Sequence, residues 1–141
     1  MTAKLDGADW RVYVIAGDGE IEEGQIWEAA MAAGNYKADN LVAIVDKNGL
    51  QANGPVKERM DSNPLREKWE SFGWNVLEID GHDMREILGA LDKADTVKGK
   101  PTVIIARTVK GKGVSFAENV VGYHNGTLTE ETYEQALKEL S

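Results

Sequence analysis

Apolar residues recur along the chain in four short blocks that are typical of β-strands: Val12–Ala16, Leu41–Val45, Trp74–Ile79 and Thr102–Thr108. The second and fourth blocks are almost continuously apolar. Strands that are buried on both faces of a parallel sheet have this composition, whereas half-exposed strands alternate polar and apolar residues. The pattern therefore predicts four strands, and it predicts that two of them are covered on both sides.

Between and after these blocks, apolar residues follow the helical period. Helices are predicted at Gly24–Asn35, Pro64–Phe72, Asp83–Val97 and Thr129–Leu140. The first of them is rich in alanine. Ser62-Asn63 precede the second as a cap, which puts Pro64 at an early helical position where proline is tolerated.

The third and fourth predicted helices each carry one apolar face. On the third helix this face comprises Met84, Ile87, Leu88 and Leu91. On the fourth, which Thr129 can cap, the apolar stripe comprises Tyr133, Ala136, Leu137 and Leu140. Faces of this kind are typical of helices that pack against a core.

The alternation of strands and helices predicts an α/β fold, namely a parallel sheet with helices on both faces, formed by a single domain over residues 1–141. In such sheets ligands bind beyond the carboxyl ends of the strands. Two long segments without a regular pattern remain, Gly49–Asn63 and Lys110–Leu128. Loops of this length are more often functional than idle.

Composition narrows the class of protein. With 141 residues, 42% of them hydrophobic, the chain can bury a core of its own. A net charge of −8 argues against a nucleic-acid partner. It also means that the protein as a whole repels phosphate, so a phosphate ligand must be held by groups close to its binding site. The absence of cysteine excludes disulfides and thiolate metal sites. Because no apolar leader or membrane-spanning run is present, the sequence predicts a cytoplasmic protein without a membrane partner.

Polar residues flanked by glycine follow two of the predicted strands. Gly17-Asp18-Gly19 closes the first strand, and Asp46-Lys47-Asn48-Gly49-Leu50 closes the second. An Asp between glycines is, on its own, most often a turn residue that binds its own backbone. Two such motifs at neighbouring strand ends, however, offer hard oxygen ligands, and a Mg²⁺ held there keeps positions open for phosphate oxygens. We therefore expect one divalent cation between Asp18 and Asn48.

Two further groups of charged residues can be explained without a bound ligand. Glu20, Glu22 and Glu23 precede a predicted helix, where acidic side chains complement the helix dipole. The run Lys110-Gly111-Lys112-Gly113 follows the fourth strand; by itself it is a flexible, solvated turn that lacks the Walker spacing.

The sequence around these motifs resembles that of transketolase. Residues 17–30 read Gly-Asp-Gly-Glu-Ile-Glu-Glu-Gly-Gln-Ile-Trp-Glu-Ala-Ala, residues 46–50 read Asp-Lys-Asn-Gly-Leu, and residues 110–114 read Lys-Gly-Lys-Gly-Val. The first two match the signature of thiamine-diphosphate enzymes, Gly-Asp-Gly followed at a distance by Asn. The similarity covers nearly the whole chain and is strongest to the N-terminal, diphosphate-binding part of a transketolase. It implies the thiamine-diphosphate-binding fold, which we expect to be truncated at its N-terminus.

By this resemblance, thiamine diphosphate is the cofactor and Mg²⁺ or Ca²⁺ is the metal that accompanies it. The implied protein ligands of the metal are Asp18, the Asn48 side chain and the Leu50 backbone carbonyl. The resemblance further implies that Gly19 offers its backbone N–H to the diphosphate. Lys110 is the lysine that it places near the cofactor.

Two residues acquire catalytic roles through the resemblance. Glu23 aligns with an acidic position that the family uses at the interface between its cofactor-binding halves. His124 aligns with a loop histidine that contacts cofactor phosphate and donor substrate and can transfer protons. Tyr123 precedes it and Asn125 follows it, where the family has Trp-His-Gly. The other histidine, His82, lies in a strand-to-helix turn and is expected to be structural.

The implied function is that of a transketolase component, in two-carbon ketol transfer between sugar phosphates. The family's upstream segment and its half that binds the aminopyrimidine ring are missing from the sequence. We therefore expect no activity from the chain alone, and a homo- or hetero-oligomer that includes a chain supplying the pyrimidine-binding half. Two alternatives remain: a component of the related deoxyxylulose-phosphate synthase, and a non-catalytic binding or assembly module. Glu23-Gly24 and the run Trp27–Ala30 favour transketolase over the synthase.

Overall fold

A computed structural model describes all 141 residues, and it contains six strands. They are β1 (Val12–Gly17), β2 (Leu41–Lys47), β3 (Leu50–Gln51), β4 (Gly54–Pro55), β5 (Asn75–Asp80) and β6 (Thr102–Arg107). Four of them form a parallel sheet in the order β1-β2-β6-β5. The two almost continuously apolar strands, β2 and β6, are therefore the central ones, as expected of strands buried on both faces.

The chain also contains six α-helices. They are α1 (Thr2–Asp6), α2 (Gly24–Asn35), α3 (Val56–Arg59), α4 (Leu65–Ser71), α5 (Met84–Thr96) and α6 (Glu130–Glu139). The four longer ones coincide with the predicted helices, whereas the short α1 and α3 have too few residues to display a period. No helix combines the length and the apolar composition that crossing a bilayer requires.

Both faces of the sheet are covered by helices, which confirms the predicted fold class. On one face, buried residues of α2 and α4, among them Ala30 and Trp69, pack against Val45 and Ile105 of the central strands. On the other face, the small residues of α5 lie against the same two strands. These contacts are made by Ala90 and Ala94, which pack against Val42 and Ile104.

The predicted apolar face of α5 is partly wrong. Met84 and Leu88 are 68% and 61% exposed, and Ala90 and Ala94 form the buried line instead. Ile87 and Leu91 are half-buried beside that line. The alanines face the sheet because a helix with small side chains can approach the strands closely.

Two other expectations at helix ends and faces need correction. The N-cap of α4 is Pro64, and no side chain caps the helix; Asn63 instead donates to Asp61 and accepts from Lys47. On α6, Thr129 caps the helix as predicted, but only Ala136 of the predicted stripe is buried. The other stripe residues line an open groove against the segment that follows β6.

The first long segment that lacked a sequence pattern is largely ordered. It contains the antiparallel hairpin of β3 and β4, followed directly by α3. These elements are too short to produce a hydrophobic period, so the sequence pattern misses them. Their effect is to fold the segment back over the carboxyl ends of β1 and β2, where the predicted site lies.

Candidate functional site

The two glycine-flanked motifs meet at the carboxyl ends of adjacent strands. β1 and β2 pair in a register that sets Gly17 opposite Asp46. Asp18 therefore follows directly on β1 and Asn48 directly on β2. The Asp18 backbone N–H donates to the Asp46 carbonyl at 3.1 Å, which extends the ladder by one more bond. The parallel pairing thus brings together the residues that the sequence predicted as metal ligands.

Asp18 is a buried carboxylate, 3% exposed. Its Oδ2 accepts a hydrogen bond from the Gly49 backbone N–H at 2.7 Å. Its Oδ1 is buried and has no hydrogen-bond partner. Burial raises the pKa of Asp18, and the nearby Asp46 carboxylate adds to this, while the bond from Gly49 opposes it. A carboxylate in this position favours a bound cation, because a cation compensates both the burial and the unpaired oxygen.

The turn after β2 orients Asn48 and Leu50. Gly49 adopts a left-handed conformation, with φ of 77°, that other residue types rarely tolerate. This turn lets the Asn48 Oδ1 accept from the Leu50 N–H at 3.0 Å. Leu50 pairs in the hairpin with Pro55, which has no N–H, so its carbonyl receives no ladder bond from that residue.

These groups suit a metal that is completed by a ligand. No cluster of three or more His, Cys, Asp or Glu side chains is available to hold a metal by itself. The site instead offers one carboxylate oxygen without a partner, an amide oxygen and a backbone carbonyl. Hard cations such as Mg²⁺ bind oxygen donors of these types and take their remaining positions from water or phosphate.

A cleft of about 300 Å³ opens beside Asp18 and Asn48. Three basic residues line it: Lys47, Lys57 and Arg107. Sequence reasoning missed this basic wall, although Lys47 lies within the second motif and Arg107 ends β6 at the same sheet edge. In a chain of net charge −8, this basic wall provides the local positive charge that an anionic ligand needs.

Neither of the two residues expected to contact the diphosphate, Gly19 and Lys110, lines this cleft. Gly19 lies against Gln51, and a Cβ at position 19 would come within 2.6 Å of the Gln51 Cβ, so close packing alone requires glycine. Lys110 does not line the cleft with Asp18 and Asn48; it lines the groove against α6.

The acidic residues before α2 each have a distinct environment. Glu20 accepts from the Gly17 N–H at 3.1 Å, and Glu22 accepts from the Gln51 side chain at 3.2 Å. Both lie in a 3-10 turn ahead of the helix. Their hydrogen bonds stabilise this loop, whereas the sequence suggested that they complement the helix dipole. Glu23 is exposed, and its only side-chain bond is to its neighbour Gln25.

The two histidines lie in different environments. His82 Nε2 accepts from the Val109 N–H at 2.8 Å and ties the turn after β5 to the segment after β6, which is a structural role. His124 is exposed and ends a 3-10 turn, Val121–His124, that lies beside β3. Tyr123 of this turn packs against Phe116, with ring centroids 5.3 Å apart and ring planes tilted by 53°. The fold thus brings the loop of His124 next to the strand that begins at Leu50.

Comparison with known proteins identifies the family of this chain. The family model described as the thiamine diphosphate binding domain of transketolase matches residues 3–141. The chain is 48% identical over 141 residues to one of the subunits of apulose-4-phosphate transketolase from Phocaeicola vulgatus and covers 50% of that protein. It is 45% identical over 140 residues to a 6-deoxy-6-sulfo-D-fructose transketolase subunit of a Clostridium species and covers 51% of it. The chain therefore spans about half the length of these relatives.

Full-length transketolases are similar over a smaller share of their length. Transketolase of Rattus norvegicus is 40% identical over 136 residues, which is 96% of this chain and 21% of the rat protein. The crystal structure of transketolase from Campylobacter jejuni superimposes with a TM-score of 0.88 at 36% identity, over 94% of this chain and 21% of that one. The chain belongs to the transketolase family and corresponds to its thiamine diphosphate binding domain.

Proposed function

We propose that this chain is a transketolase component that binds the metal and the diphosphate of thiamine diphosphate. The observation that carries the proposal is the buried Asp18 Oδ1, which has no partner and lies beside the turn of Asn48. A buried, unpaired carboxylate oxygen is expensive in free energy unless a cation is bound to it. The family membership supports the identity of the ligand that accompanies this cation.

The cation ligands follow from the donors present. Asp18 supplies a carboxylate oxygen, Asn48 its amide oxygen, and Leu50 its backbone carbonyl. We infer Mg²⁺ as the metal, with Ca²⁺ as a substitute, because both bind oxygen ligands and accept phosphate oxygens. A cation held by these groups would offset the repulsion between the acidic loop and the diphosphate.

The diphosphate would be held by backbone and basic groups around this cation. Lys47, Lys57 and Arg107 line the adjoining cleft and supply positive charge. The Gly19 N–H and Lys110 remain candidates for direct contact. When it is bound, thiamine diphosphate supplies the carbon that carries the two-carbon unit, and this chain anchors and orients the cofactor.

The remaining site residues act on substrate and partner. His124, exposed on the turn beside β3, is proposed to contact the sugar phosphate and move a proton during ketol transfer. Glu23, exposed ahead of α2, is proposed to contact the chain that binds the pyrimidine ring. The names of the relatives as transketolase subunits, and the half-length match to them, support a second chain as partner.

Calorimetric titration with thiamine diphosphate, with and without Mg²⁺, tests the proposal. We expect measurable affinity only with metal, and a loss of roughly tenfold or more in Asp18→Ala and Asn48→Ala, as is typical of disturbed metal sites. Asp92→Ala removes an equally negative but exposed side chain of α5 and should leave the affinity unchanged. Each titration is run on the chain alone and on its mixture with a chain that supplies the pyrimidine-binding half.

Affinity that persists in excess chelator would contradict the metal site. A chain that binds no cofactor in either setting would favour the non-catalytic module. If the mixture forms deoxyxylulose phosphate but transfers no ketol group, the synthase alternative is correct instead.

A further inference from the structure

One more carboxylate, Asp46, touches both of the residues that we propose as metal ligands. It lies near the end of β2, between Gly17 of β1 and Ala106 of β6 in the sheet register. Its backbone carbonyl accepts from the Asp18 N–H at 3.1 Å, and its side chain accepts from the Asn48 amide at 3.0 Å. No other side chain in the structure is hydrogen-bonded to Asn48.

Each oxygen of the Asp46 carboxylate accepts one hydrogen bond. Oδ2 accepts from the Asn48 Nδ2, and Oδ1 accepts from the Thr108 hydroxyl. Thr108 directly follows β6 and is fixed by its own N–H, which donates to the Lys47 carbonyl at 3.3 Å. Asp46 is therefore held by Thr108 from the β6 side and faces the Asn48 amide with its other oxygen.

The chemistry of the contact decides which way the Asn48 amide points. An ionised carboxylate only accepts hydrogen bonds, so it must face the NH₂ group of the amide and never its oxygen. The amide oxygen is thereby turned away from Asp46. It accepts one bond from the Leu50 N–H at 3.0 Å and keeps its second lone pair for another partner.

We propose that Asp46 is a positioning residue, which orients the Asn48 amide so that its oxygen, and not its nitrogen, is presented to the cation beside Asp18. Thr108 holds Asp46 in the position that does this. The proposal rests on the metal site of the proposed function, and it assigns a role to two residues outside the ligand set proposed there. Partners of this kind fix the orientation of a ligand and raise its affinity for metal.

The test separates orientation from charge. Asp46→Ala removes the acceptor, so the amide can turn, and we expect the Mg²⁺ affinity at saturating thiamine diphosphate to fall roughly tenfold to a hundredfold. Asp46→Asn removes the negative charge but retains an oxygen for Asn48, and its NH₂ can donate to the Thr108 hydroxyl, which also accepts. We expect Asp46→Asn to keep most of the affinity that Asp46→Ala loses.

A double-mutant cycle shows whether Asp46 acts through Asn48. If it does, Asp46→Ala should cost little further affinity in a chain that already carries Asn48→Ala. Additive losses, or an Asp46→Asn variant as weak as Asp46→Ala, would overturn the positioning role. Melting temperatures in metal-free buffer accompany each titration, and a role in packing alone would lower them while leaving the metal affinity of the folded protein unchanged.

The outcomes distinguish this inference from the proposed function. Metal binding by the wild-type chain that is lost in Asp18→Ala but retained in Asp46→Ala contradicts the positioning role only. A wild-type chain that binds no Mg²⁺ with thiamine diphosphate, alone or with a pyrimidine-binding chain, contradicts both. Asp92→Ala again serves as the control, since it removes an exposed carboxylate of α5 that has no hydrogen-bonded partner.

Discussion

At the scale of the residue, the most unusual feature is a buried carboxylate oxygen of Asp18 that has no hydrogen-bond partner. Leaving a buried polar atom without a partner costs about 1–3 kcal/mol, and more when the group is charged. Asp18 carries such an atom, although an exposed turn would have avoided the cost. The Gly49 bond keeps the side chain pointing inward at 2.7 Å from its donor. This cost is what a bound cation would offset at the site that we propose.

His124 permits a direct separation of function from stability. Its side chain is exposed, so His124→Ala should hardly change the melting temperature. In the assembled enzyme we expect kcat/KM to fall by about tenfold or more, because a group that moves a proton contributes at least that much. Steady-state kinetics and thermal unfolding of the same preparations check this. A drop in melting temperature that matches the loss of activity would make His124 a structural residue.

At the scale of the element, the close approach of α2 to the turn before β5 holds one side of the sheet together. A Cβ at Gly34 would lie 1.8 Å from the Phe72 carbonyl oxygen, so only glycine permits this approach. Trp74, on the same turn, donates its indole N–H to the Ala30 carbonyl of α2 at 2.9 Å. Trp69 of α4 packs against Trp74 with ring centroids 4.7 Å apart. These contacts fix the helix that begins shortly after the first glycine-flanked motif.

The two tryptophans offer a matched comparison. Both are buried, but the indole N–H of Trp74 is hydrogen-bonded, whereas that of Trp69 has no partner. Replacement by phenylalanine removes similar volume at both sites. We expect Trp74→Phe to lower the free energy of unfolding by about 1 kcal/mol more than Trp69→Phe does, the net value of one hydrogen bond. Urea unfolding measures both values, and equal losses would show that this hydrogen bond contributes nothing.

At the scale of the whole molecule, the sheet has an open apolar edge. The residues from Val12 to Ile15 of β1 are between 45% and 71% exposed, although all four are hydrophobic or aromatic. An edge strand without charge, proline or cover is a template for another chain. A soluble domain rarely leaves such a patch bare.

We therefore expect the isolated chain to self-associate through β1. Light scattering should give a mass that rises with concentration, and Ile15→Lys should restore a monomer because a charge on the edge opposes pairing. Leu5→Lys, at an 80% exposed apolar position on α1 outside the sheet, is the matched control and should not change the association. A strict monomer at all concentrations of the wild-type chain would contradict this expectation.

Under the proposed function, activity depends on a second chain. We expect no ketol transfer by the purified chain at any concentration of thiamine diphosphate, because a thiamine enzyme also needs the group that activates the pyrimidine ring. Transfer should appear when a chain that supplies the pyrimidine-binding half is added. A coupled assay for the aldose phosphate product measures both conditions. Turnover by the single chain would refute the proposed division of labour.

The sequence by itself determined the class of fold and the place in the sheet where the two glycine-flanked motifs meet. Four apolar blocks and four helical patterns were enough to predict the fold class. The hydrophobic period of each segment, and the continuously apolar composition of strands buried on both faces, can be read directly from the sequence. The two glycine-flanked motifs directly followed strands, so parallel pairing alone predicted that Asp18 and Asn48 would meet. Both expectations agree with the structure, in which each motif follows directly on its strand.

Tertiary structure alone decided how these residues are held and which surfaces they leave open. The helix α5 packs through Ala90 and Ala94 rather than through its largest apolar residues, because contact with the sheet favours small side chains. The bond from Gly49 to Asp18, the basic wall and the Asp46–Thr108 contact all join residues that are far apart in sequence. A sequence pattern describes neighbours along the chain, whereas the environment of a buried oxygen depends on strands that meet only when the sheet has formed.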